Sequence, residues 1–206
     1  ATGIDLEQHA NHRGSSFGRH ATPPPCQVDF EHRLAIDILR RTSAPPRLPL
    51  FLEDESQRVG AVSIPAALHG AMHQAPLVLL DRPLSFRIER IYQEYVVELR
   101  RDYQKLGVDD AEGQFRTHLL DSLDRIRKRL GLARHAELRK TMQRAFDSTD
   151  PEDHRRWIAT LLQDYYDPMY QYQLAKSASR VVFSGVFDAV LQWCRKRGAR
   201  EGLARR

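Results

Sequence analysis

Leu48-Pro49-Leu50-Phe51-Leu52-Glu53-Asp54-Glu55-Ser56 passes from an apolar run straight into three consecutive acids. Leu48–Leu52 reads as a short buried strand, and the acids sit where that strand ends. In α/β folds this is the edge of the sheet that faces ligands. A carboxylate there commonly holds a metal or orients water beside phosphates. Its usual companion is a glycine-rich loop carrying Gly-Lys-Ser/Thr. The five lysines are Lys105, Lys128, Lys140, Lys176 and Lys196, and none follows a glycine. The chain therefore has the acidic strand end without the phosphate loop.

Working outward, Phe30, Leu34 and Ile38 recur at helical spacing, which predicts a helix over Asp29–Arg41 with Asp29 as its cap. Ile4-Asp5-Leu6 reads as the end of a strand. Pro65–His73 reads as a short helix and Pro76–Leu80 as a second apolar strand. From Ser85 the pattern changes. Ile88, Ile91, Tyr92, Tyr95, Val96, Leu99 and Tyr103 form one helical stripe, and Phe115, Leu119, Leu123, Ile126 and Leu130 form another that Gly131 ends. Ala136–Phe146 and Asp153–Tyr166 continue the helices, and Pro168 opens a further one. Arg180–Phe183 is rich in β-formers, Gly185 breaks it, and Phe187–Arg197 is a last amphipathic helix. Strands alternating with helices predict an α/β fold with a parallel sheet. The expected organisation is a core over residues 1–84, a helical region over 85–177, a returning strand and helix over 178–194, and a basic tail over 195–206.

The net charge of +5 is unevenly placed. Residues 195–206 alone carry +5, and residues 125–144 carry +7 with Glu137 as their one acid. Local basic surface of this kind suits phosphates. No apolar run approaches the ~20 residues of a membrane span. Cys26 and Cys194 form no metal or redox pair, which fits a reducing, cytoplasmic setting.

Four constellations could carry chemistry. Glu53, Asp54 and Glu55 are the candidate catalytic acids. Arg13, Gly14, Ser15 and Ser16 form a loop in which arginine and exposed backbone N–H groups could hold an anion. Tyr165, Tyr166 and Tyr170 could stack on bases or pack a helix junction. Arg125, Arg127, Lys128, Arg129 and Arg134 could meet an RNA backbone or form a solvated helix face. His9/His12 and His69/His73 have helical spacing, but no further ligand stands near either pair, and no metal is expected there.

Taken in order, several segments resemble the C-terminal part of the bacterial tRNA 2-selenouridine synthases. They are Asn11-His12-Arg13-Gly14-Ser15-Ser16-Phe17-Gly18, Leu52-Glu53-Asp54-Glu55-Ser56, Arg87-Ile88-Glu89-Arg90, Lys128-Arg129-Leu130-Gly131-Leu132, Tyr165-Tyr166-Asp167-Pro168-Met169-Tyr170, Tyr172-Gln173-Leu174 and Val181-Val182-Phe183. The resemblance implies a P-loop-NTPase-like sheet, here incomplete, with a largely helical insertion or cap. It implies action on 2-thiouridine at the tRNA wobble position, by geranylation from geranyl diphosphate and replacement of the S-geranyl group with selenium from selenophosphate. Alkylation makes the sulfur a better leaving group. It further implies a rhodanese-like domain in cis that these residues do not contain, an N-terminally truncated chain that does not act alone, and a role for Mg2+ left open.

On this reading Arg13, Arg58, Arg87 and Arg90 are phosphate partners, with arginine suited to bidentate contacts. The tRNA contacts come from the basic helices and the tyrosines. Two rival readings stand beside it. One is a non-catalytic RNA-binding module built on the basic stretch and tyrosines. The other is a small-molecule kinase-like enzyme, which the missing Gly-Lys-Ser/Thr loop opposes.

Overall fold

The computed structural model describes residues 2–43 and 49–203. The chain divides into two compact units. One comprises residues 1–15, 22–82 and 179–206, and the other 16–21 and 83–178.

The first unit is α/β. Strand β1 (Thr2–Ile4) pairs in parallel with β2 (Leu50–Leu52), with Ile4 opposite Leu52. Helix α1 (Leu6–Ala10) follows β1 at once. Leu6 is therefore helical, and the strand expected over Ile4–Leu6 stops at Ile4. Asp5 turns the chain by accepting the Gln8 N–H at 2.7 Å, the ordinary N-cap arrangement. Helix α2 spans Gln27–Thr42 and starts two residues before Asp29. Its N-cap is Cys26, which makes no side-chain capping bond, so Asp29 supports the first turn only through its charge. Strands β3 (Arg58–Val59) and β4 (Val62–Ser63) form an antiparallel hairpin too short to show an alternating pattern. Helix α3 (Ala66–Gln74) leads to β5 (Leu77–Leu80), which pairs in parallel with β6 (Val181–Gly185). Gly185 thus closes the strand from inside it. Helix α11 (Phe187–Leu203) is a single element through most of the segment read as a basic tail.

The described residues give three two-stranded sheets and no continuous one. Ile4, Leu6, Phe30, Leu34, Val59, Val62 and Ile64 build this unit's core. A cavity of about 500 Å³ remains within the unit, bordered by Pro49–Asp54, Ala75–Val78, Met72 and Trp193.

The second unit is helical. Helix α4 (Leu84–Ile91) runs through a π-helical turn at Tyr92–Glu98 into α5 (Leu99–Lys105). The wider turn shifts the helical phase so that Tyr95, Val96 and Leu99 are all buried. Helices α6 (Ala111–Arg125), α7 (Arg127–Leu130) and α8 (Leu132–Asp147) follow, with breaks at Ile126 and at Gly131, whose φ is +88°. Helix α9 (Pro151–Leu161) passes through a second π turn at Leu162–Tyr166 into α10 (Asp167–Lys176). Pro168 lies in the first turn of α10, but the helix does not stop before it. Phe115, Leu119, Leu123, Met142, Trp157 and Ile158 fill the core. Phe17 completes it by stacking on Trp157, with ring centroids 6.1 Å apart.

Candidate functional site

The pairing of β1 with β2 sets the acids after β2 beside the start of α1. Glu53 Oε2 accepts the N–H of Leu6 at 2.7 Å and that of Glu7 at 3.4 Å. These two groups are among the orphan donors of a helix start, so Glu53 acts as a long-range cap for α1. Burial still pushes its carboxyl above the ordinary range, and the two backbone bonds pull against that.

Glu7 and Glu55 are half-buried. They share a side-chain hydrogen bond, and the Glu7 carboxyl is pushed up to about 8, first by burial and then by the charges of Glu55, Glu53 and Asp5. Burial raises Glu55 as well, while its bond with Glu7 pulls it back down. A carboxylic acid donating to a carboxylate lets the pair share one proton. Gly14 is packed against the pair. Its φ is +66°, and a Cβ there would lie 2.5 Å from Glu7 Oε1 and 2.7 Å from Glu55 Oε1. The left-handed backbone favours glycine, and a side chain there would also have to displace the two carboxyl tips.

Asp54 points elsewhere. It is exposed and meets Arg180 Nη2 at 3.4 Å. Arg180 also donates to the carbonyls of Ala75 (3.0 Å) and Met72 (2.8 Å) at the end of α3. The structure thus adds Glu7 and Arg180 to the acidic strand end. Neither carries a local signal, because each depends on a partner far along the chain.

The other candidates separate. In the loop before residue 16, the Ser15 N–H is bonded to the Arg13 carbonyl at 2.7 Å and is not presented to an anion. Arg58 is exposed, and its Nε donates to the Gly60 carbonyl of its own hairpin at 3.1 Å. Arg87 lies in the helical unit, where Asp167 takes both its terminal nitrogens at 2.5 and 2.9 Å. Arg90 pairs with Glu94 one turn on. Arg125 donates to the Ser16 carbonyl (2.5 Å) and to Ser122 Oγ (2.6 Å), so its head group serves the unit's own packing. Arg127, Lys128, Arg129 and Arg134 are exposed. Asp124, one residue before the basic stretch, draws in Arg139 at 2.8 Å and His135 at 2.6 Å and so reduces the local excess. Tyr165 and Tyr166 are half-buried against the helical core, with ring centroids 5.0 Å apart, and Tyr170 is exposed.

The acids do not fit a magnesium cradle. Glu53 is turned onto α1, Asp54 onto Arg180, and Glu7 and Glu55 hold a proton between them. Among the described residues no group of three or more His, Cys, Asp or Glu is arranged to hold a metal.

Residues 1–201 match the family described as the tRNA 2-selenouridine synthase AAA domain. The chain belongs to that family. It is 45% identical to the tRNA 2-selenouridine synthase of Pseudomonas fluorescens over 200 residues, covering 95% of this chain and 54% of the relative. It is 47% identical to the synthase of Azotobacter vinelandii over 198 residues (94% and 53%) and 44% identical to that of Bordetella bronchiseptica over 201 residues (95% and 54%). The chain spans about half the length of the curated relatives it matches. No solved structure matches it. The short parallel strands with a large helical unit are those of a P-loop-NTPase-like AAA domain with helical insertions. No helix among the described residues is long and apolar enough to cross a membrane.

Proposed function

We propose that the chain works in tRNA wobble-uridine modification, converting 2-thiouridine to 2-selenouridine through S-geranyl-2-thiouridine. The observation that carries this reading is near-complete coverage of the chain, at 45% identity, by a relative bearing the synthase name. The co-substrates are geranyl diphosphate and selenophosphate, the setting is cytoplasmic, and the partner in cis is a rhodanese-like domain. The Glu7–Glu55 pair supplies acid–base capacity. When the sulfur of 2-thiouridine attacks the first carbon of the geranyl chain, the carbon–oxygen bond to diphosphate breaks and the base loses its N3 proton. A carboxyl group titrating at about 8 is matched to such a transfer near neutral pH.

The test joins this chain to the part of the Pseudomonas fluorescens synthase that it does not cover. The fusion is incubated with thiolated tRNA and both co-substrates, and the wobble nucleoside is read by mass spectrometry. Formation of 2-selenouridine is expected. Unchanged 2-thiouridine, with the Pseudomonas enzyme active in parallel, overturns the reading.

Exposed Arg127, Lys128, Arg129 and Tyr170 favour a second reading, a non-catalytic tRNA-binding module. That reading expects tRNA affinity in the chain alone, falling steeply with salt. Absence of binding at low salt removes it.

A further inference from the structure

Helix α3 carries two histidines that the reaction proposed above does not use. His69 and His73 are four residues apart and so lie on one face, a turn from each other. Their Nε2 atoms approach to 3.0 Å, with the ring planes at 88° and the ring centroids 4.2 Å apart. Among the described residues neither ring has another hydrogen-bond or ion-pair partner. His73 is exposed and His69 half-buried, and a Cβ added at Gly70 between them would meet nothing within 4 Å. Leu68 and Met72, by contrast, pack into the core of the α/β unit.

A hydrogen bond between two rings that water can reach adds little to stability, because either ring can bond to solvent instead. Two imidazole nitrogens converging on one point do suit a metal ion. With metal–nitrogen bonds of about 2.0–2.1 Å, nitrogens 3.0 Å apart subtend an angle of about 94° at the ion. A tetrahedral ion would hold them about 3.3 Å apart. A near-right angle is that of neighbouring positions around tetragonal Cu(II) or Ni(II). The described residues supply no third ligand. The open surface around Gly70 leaves the other positions to water.

We infer that His69 and His73 form a two-nitrogen chelate for a divalent ion of tetragonal preference, Cu(II) or Ni(II), with water in the remaining positions. The hydrogen bond between the rings gives way when the ion enters. The ring whose Nε2 carries the proton holds it at Nδ1 instead, and both Nε2 lone pairs then face the metal. The ion also staples one turn of a helix with little support of its own. The N-cap of α3, Pro65, makes no side-chain capping bond, and Gly70 lies in the helix interior. The inference rests on the geometry of the pair and is independent of the reaction proposed above.

Titration of this chain with copper(II) chloride, read by calorimetry and electron paramagnetic resonance, tests it without an activity assay. One equivalent should bind with a tetragonal spectrum showing two nitrogen ligands. His69→Ala and His73→Ala should each weaken that binding by roughly 10-fold or more, since the second ring acts at high effective concentration once the first has bound. Both variants place a stronger helix former on α3, and circular dichroism checks that they fold. His32→Ala, at an exposed histidine of α2, should leave the affinity unchanged. In the unaltered chain, hydrogen exchange across Ala66–Gln74 should slow when copper is added. The chain has nine histidines, so affinity that survives either α3 variant assigns the copper to others and overturns the inference. A single-nitrogen spectrum, unchanged exchange in α3, or no binding overturns it too.

Discussion

The carboxyl group of Glu7 is hydrogen-bonded to that of Glu55, and the left-handed backbone of Gly14 closes against both. The folded protein holds this proton up to about pH 8, whereas an ordinary glutamate releases it near 4.5. Between those values the folded state binds more protons than the unfolded one. Stability is then highest below 4.5 and falls as pH rises towards 8. The raised carboxyls of Glu53 and Glu55 act with the same sign. With the screening expected for half-exposed groups, the loss amounts to about 1–2 kcal/mol. Unfolding of the α/β unit, followed from pH 5 to 8 by the fluorescence of Trp193, should show this decline. Glu7→Gln keeps a donor towards Glu55 and should flatten it; an unchanged slope refutes the shared proton.

The helical unit responds in the opposite direction. His154 is buried, accepts the indole N–H of Trp157 at 3.0 Å, and is held down to about 4 by burial first and by Arg100 second. Its unfolded form takes up a proton near 6.5, so the stability it contributes is complete above 6.5 and drains away as pH falls towards 4. In a Trp193→Phe protein, the remaining Trp157 should report acid unfolding of this unit below pH 6. If its midpoint ignores pH between 4 and 6.5, the neutral buried imidazole is wrong.

Gly14→Ala should cost about 1–3 kcal/mol, from a left-handed backbone and the displacement of two carboxyl groups. Gly107, also at positive φ but with open space around it, provides the control. Gly107→Ala carries the backbone cost alone. Thermal denaturation of both variants checks the difference, and equal losses would show that contact with the carboxyl pair contributes nothing.

Arg180→Ala removes two bonds to the carbonyls of Met72 and Ala75 as well as the contact with Asp54. Loss of about 1–2 kcal/mol is expected. Most of it should persist when Asp54→Asn is made in the wild-type background and cycled against it, because the carbonyl bonds carry the larger share. A double-mutant cycle in which Asp54 accounts for the whole effect would reverse that assignment.

Sequence patterning disclosed the elements whose periodicity is local. The strand run at Pro76–Leu80, the helix around Phe30 and Leu34 and the stop at Gly131 all follow from neighbours within a turn or two. The hairpin at Arg58–Ser63 did not show itself, because strands of two residues carry no alternation to read. The two π turns were hidden for a related reason: they preserve a helical stripe while shifting its phase. At the candidate site, the acids after β2 were visible as composition, but their separate orientations were not. Whether an acid turns onto a helix end, an arginine or another acid depends on residues brought in from distant elements. The same limit applies to the basic stretch, where Asp124 draws in Arg139 and the ring of His135.

Phe17 lends its ring to Trp157, although the residues on either side of Ser16–Ala21 belong to the other unit. The helical unit is therefore not a cassette that two cuts can release. A clone limited to residues 83–178 would leave behind one wall of its own interior, and a swap of that block between homologues would carry a Trp157 fitted to an aromatic ring that stays with the recipient. Transplanting it takes four junctions, two of them bounding a short excursion of six residues near the start of the chain.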